Sequence, residues 1–68
     1  MDELKDIIKE SIRHLISLNI REAKYIKFMQ DNPEEKDAKK ILIEIIDEIT
    51  NINTRIAKQL EQLEQGGN

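Results

Sequence analysis

Sixty-eight residues, 37% of them charged and 38% hydrophobic, leave room for one domain and one core. The absence of cysteine removes disulfides, thiolate catalysis and zinc fingers, and a formal net charge of −3 is the wrong sign for a general nucleic-acid binder, which must neutralise phosphate. With one Tyr, one Phe and no Trp, the apolar content is mostly Ile and Leu among Glu and Lys, the profile of exposed helices and coiled coils.

The first element is a helix over about residues 2–30, with Asp2 available as its cap. Its apolar positions are Leu4, Ile7, Ile8, Ile12, Leu15, Ile16, Leu18, Ala23, Ile26 and Met29. On a helical wheel they cover roughly half the circumference, wider than the ~100° stripe that one neighbour covers. Leu4, Leu15 and Ile26 recur every eleven residues, as do Ile7, Leu18 and Met29, a period close to that of a straight helix. Such a helix needs at least two neighbours. Residues 1–30 carry six Lys/Arg against five Asp/Glu, whereas residues 31–68 carry five against nine, so the basic excess belongs to the first half.

The only proline stands in Asp31-Asn32-Pro33-Glu34-Glu35. The run reads as a stop and a restart: a turn at 31–33, Asn32 as N-cap, Pro33 at the first position of a second helix, and Glu35 where a capping box places its acid. The second helix is expected over about residues 33–65. Leu42, Ile45, Ile49, Ile52, Ile56 and Leu63 alternate three- and four-residue steps, the a/d seam of a heptad, with Gln59 at the remaining seam position and Ala38 extending it toward the turn. Ile46, Asn53 and Leu60 lie beside that seam. Gly66 and Gly67 end the helix, and residues 66–68 are expected to fray.

The fold expected is therefore all-α: a single antiparallel helical hairpin over residues 1–68. One seam is a small core for a chain without disulfide or metal. Association of two hairpins into a four-helix bundle would give the first helix its second neighbour, so a homodimer is expected. No apolar run approaches the ~20 residues of a membrane span, and Met1-Asp2-Glu3 is not the start of a signal peptide, so a cytoplasmic setting is the expectation.

Catalytic equipment is sparse. His14 is the only histidine, and Glu10 stands at the wrong spacing for a Glu-x-x-His metal pair. Ser11, Ser17, Thr50 and Thr54 have no histidine positioned by an acid beside them, and both glycines of the chain sit in its tail rather than in a phosphate loop. No enzyme activity, metal or cofactor is expected.

Polar residues on apolar faces are the first candidates for a role. Ser11, Asn19 and Glu22 fall in the stripe of the first helix, and Asn53 and Gln59 on or beside the seam of the second. Asn19, Glu22, Asn53 and Gln59 are read as residues that fix register and oligomeric state. Glu22 should meet a base or sit where the bundle opens, because a buried carboxylate is costly unless paired. A second group is Ile20 and Phe28, apolar residues off the main stripe, with Lys24 and Lys27 alongside. These four form the candidate surface for a protein partner. A third is the basic line Lys5, Lys9 and Arg13, continued by Lys24 and Lys27, as an alternative nucleic-acid face. Asp2 and Asp6 intrude on it, and it lacks aromatics for base stacking.

Two helices, a short acidic turn (Asp31-Asn32-Pro33-Glu34) and a glycine-containing polar tail resemble the Rop family of plasmid-copy regulators in length and layout. The resemblance is one of architecture over most of the chain. It implies an antiparallel four-helix bundle of two hairpins whose first helices bind paired RNA loops. Three functions stay in play: a non-enzymatic regulator, inhibitor or adaptor docking a helical face on a protein, a Rop-like RNA binder, and a structural oligomerisation module.

Overall fold

In a computed structural model the chain is an all-α antiparallel hairpin, described over residues 2–66. Helix α1 spans Asp2–Asp31 and α2 spans Lys36–Gly66, and the two pack against each other. The rod measures 54 × 14 × 12 Å, with a radius of gyration of 15.7 Å against about 11 Å for a compact domain of this length. It is long because each helix has about thirty residues and nothing folds back across it.

Residues 32–35 make the turn, against the 31–33 read from the sequence, so α2 begins at Lys36 and not at Pro33, and the capping differs as well. The backbone N–H of Asn32 donates to the Phe28 carbonyl at 2.9 Å, and its side-chain Nδ2 donates to the same oxygen at 3.0 Å. Asn32 thus closes the C-terminus of α1 instead of opening α2. The Glu35 N–H donates to the Asn32 carbonyl at 3.0 Å, closing a four-residue turn with Pro33 as its second residue. Proline's fixed φ suits that position as well as it suits a helix start, so the residue alone does not choose between the two. At the other end Gly66 is the last described helical residue, with no left-handed φ. The stop assigned to Gly67, and the end of the tail, lie outside the described residues.

Burial follows one heptad on each helix. Let Ile8, Leu15, Glu22 and Met29 be a, and Leu4, Ser11, Leu18 and Tyr25 be d. In α2 the a positions are Leu42, Ile49, Ile56 and Leu63, and the d positions are Ala38, Ile45, Ile52 and Gln59. All sixteen are buried or half-buried, and Ile41 is the only other described helical residue that is. Met29 and Ala38 begin this seam at the turn, and Leu4 and Leu63 close it at the open end. The second helix thus uses the seam read from its sequence. The first helix does not bury half its surface: Ile7, Ile12, Ile16 and Ile26 remain 41–53% exposed. One partner helix covers only a narrow stripe, and the eleven-residue alignment gives way to the seven-residue repeat that matches α2.

Candidate interaction surfaces

The seam divides the rod's surface into two flanks. Ile7 and His14 of α1, both at g, line a groove of about 540 Å³ together with Arg55, a g residue of α2. His14 and Arg55 also border a second hollow with Glu48, another g position. The g residues of both helices therefore share one flank. The e and b positions of both helices lie on the opposite flank, as an antiparallel pair requires.

The candidate partner residues lie on the outer and g sides of α1 near the turn. Ile20 is 52% exposed and Phe28 44%. Lys24, Tyr25 and Phe28 line a shallow depression of about 290 Å³. Tyr25 and Phe28 meet edge to face, centroids 6.5 Å apart at 67°, the favoured geometry for an aromatic pair. Tyr25 was not among the apolar positions read from the sequence, yet its ring is half-buried at a seam position. The available signal was the three-residue spacing of the chain's only two aromatics. Lys27 and Ile20 stand one heptad apart at f, beside this cluster. Phe28 leans on Tyr25, one turn back along its own helix.

The basic candidates do not form one line. Lys5 and Lys9 belong to the e/b flank, and Arg13 to the outer surface. Arg13 donates to Glu10 at 2.9 Å, the only ion pair among the described residues. The Arg13 Nη1 is engaged by Glu10 in an exposed surface pair, which places an acid beside the arginine on this side.

The register candidates separate into two sets. Glu22 and Gln59 are half-buried in the seam with Ser11, which is 7% exposed. The Gln59 Oε1 is shut off from solvent and has no hydrogen-bond partner among the described residues. Ser11 and Gln59 reach the same groove beside His14. Asn19 and Asn53, by contrast, are exposed on the e/b flank near the middle of the rod. Glu22 is not in an ion pair among the described residues. Thr50 and Thr54 donate to the carbonyls of Ile46 (3.1 Å) and Thr50 (3.0 Å), so both hydroxyls serve their own helix.

Compared with protein-family models, with curated proteins and with solved structures, the chain matches none. The likeness to Rop rests on the helical hairpin alone. Among the described residues no helix is long and apolar enough to cross a membrane.

Proposed function

We propose that the chain is a non-enzymatic interaction protein, a small regulator, inhibitor or adaptor, that holds an acidic protein partner against the outer side of α1 near the turn. One observation carries this reading: the only two aromatic side chains stand together at that surface with Lys24 on the rim of their depression. Exposed aromatics of this kind anchor interfaces, because they bring large area at small entropic cost. Lys24 and Lys27 would steer an acidic partner, and Ile20 would extend the apolar contact.

The test is affinity capture from the native host with nuclease treatment, followed by quantitative mass spectrometry and affinity measurement on the recovered partner. Phe28→Ser is expected to weaken that partner about thirty-fold, the equivalent of a 2 kcal/mol hot spot. Ile20→Ser and Lys24→Glu are expected to weaken it less, with helicity unchanged in all three. Nuclease-sensitive capture abolished by Lys5→Glu with Lys9→Glu would replace this function with RNA or DNA binding. Recovery of the chain alone would leave the oligomerisation module.

A further inference from the structure

The flank opposite the His14 groove is built differently from the rest of the surface. On α1 its b and e positions from residue 12 onward are Ile12, Ile16, Asn19, Ala23, Ile26 and Gln30. On α2 they run Ile43, Ile46, Thr50, Asn53, Ala57 and Leu60. None of these twelve residues is charged, whereas six of the ten outward c and f positions within the same spans, 12–30 and 43–60, are. Six of the nine exposed large hydrophobic residues lie here, each 41–53% exposed. With its hydroxyl tied to the Ile46 carbonyl, Thr50 offers this surface a methyl group. The apolar band runs about 26 Å along α2 at 1.5 Å per residue. Charge returns at its ends, with Lys5, Lys9 and Glu64 at one and Lys36 and Lys39 at the other.

The hairpin also exposes too much surface for its mass. Its accessible area is 5484 Å². A compact monomer of 8.0 kDa would expose roughly 4,500 Å², an excess of about 1,000 Å². That excess matches the ~800 Å² per partner of a standard stable interface.

We infer that a second copy of this chain covers the b/e flank, so that two hairpins complete one four-helix core. A copy of the chain fits this flank on two grounds. Isologous docking sets each residue type against the same surface, so a self-complementary face must carry no net charge at its centre, and this one carries none. The missing area is also core area, which the hairpin needs whenever it is folded, and another copy is always present at matching concentration. Ala23 and Ala57 provide low points for isoleucines of the facing copy to enter. Asn19 and Asn53 become central polar groups that meet partners only in the aligned register. The Tyr25–Phe28 cluster stays outside, because d and g lie away from b and e, so the protein-partner surface and the self-association surface are separate.

Sedimentation equilibrium at about ten micromolar is expected to give twice 8.0 kDa. Ile16→Lys with Ile46→Lys is expected to reduce the mass to that of the monomer, while Ile7→Lys with Phe28→Ser leaves it doubled. Because the double-lysine variant could unfold on dissociating, cysteine cross-linking in the otherwise cysteine-free chain supplies a second readout. Ile16→Cys alone forms a disulfide dimer if α1 meets α1 of the other copy. A mixture of Ile16→Cys and Thr50→Cys forms one if α1 meets α2, and Ser17→Cys, on the outer surface, forms neither. A wild-type monomer with cooperative, concentration-independent melting overturns the inference. So does a dimer that links through Ser17→Cys and through neither flank pairing.

Discussion

The seam between the helices and the b/e flank beside it are made of nearly the same residues, yet the hairpin covers only one. The seam is mostly Leu and Ile, interrupted by Ser11, Glu22 and Gln59, and the flank is mostly Ile with Leu and Ala, interrupted by Asn19, Gln30, Thr50 and Asn53. The flank is somewhat more polar than the seam, but unlike the seam, which holds Glu22, it carries no charged side chain. What separates them is the turn: a four-residue connection follows Met29 and precedes Ala38, both on the covered side, and the heptads then run from there to the open ends. The lesson is that hydrophobic pattern supplies candidate stripes and turn geometry selects among them.

The largest expected effect tests whether the two stripes are energetically alike. Ile52 is 4% exposed in the seam, and Ile52→Ala is expected to cost about 2–4 kcal/mol in denaturant unfolding, the usual range for a buried isoleucine. Ile16, 53% exposed in the single hairpin, is the counterpart on the flank. If a second copy covers it, Ile16→Ala should cost well over 1 kcal/mol at micromolar protein, and the cost should shrink on dilution. An effect within about 0.5 kcal/mol at every concentration would mark an ordinary surface residue and break the likeness between the stripes.

A smaller change sharpens the comparison from the polar side. Gln59 places an amide oxygen at a d position without solvent or partner, and a buried acceptor left unsatisfied costs ~1–3 kcal/mol. Leucine at that position would extend the run of Leu63, Ile56 and Ile52. Gln59→Leu is therefore expected to stabilise the protein by about 1–2 kcal/mol, read as a higher midpoint in urea with an unchanged slope. A lowered midpoint would show that Gln59 does meet a hydrogen-bond partner in solution, and that its polarity contributes to the seam.

Much of this was legible before any coordinates. Two helices, a turn at the single proline and the seam of α2 follow from heptad spacing, because α2 has one clean stripe. The seam of α1 was hidden because Ile7, Ile12, Ile16 and Ile26 compete with it on the wheel. Three of its true members, Ser11, Glu22 and Tyr25, are polar or amphipathic. Counting back from Met29 in steps of four and three finds all of them, but only once Met29 is known to lie on the covered side. The surface candidates were less legible still. Ile20, Lys24, Lys27 and Phe28 were picked out as lying off the stripes, and side-chain geometry was needed to bring Tyr25 to Phe28. Asn19 and Asn53 read as part of the hairpin's own stripes, whereas both stand on the flank that one hairpin leaves open.

The smallest expected effect lies in the turn that makes the selection. Asn32 is half-buried, and its Nδ2 gives the Phe28 carbonyl a second hydrogen bond at 3.0 Å. Asn32→Ala removes that bond and leaves the backbone one in place, so a loss of about 0.5–1 kcal/mol is expected. The position of the loss is more telling than its size. As an N-cap, Asn32 would protect the first turn of a helix begun at Pro33, and its removal would speed hydrogen exchange at amides 34 and 35. As the closing residue of α1 it holds the last turn of the first helix, so faster exchange is expected at amides 30–32. The seam should survive either way, because the rest of both heptads stays covered and the Glu35-to-Asn32 backbone bond, which alanine also makes, remains. If Asn32→Ala instead exposed the seam and buried the flank, the side-chain bond would be the selector of register, and the two stripes would be interchangeable cores.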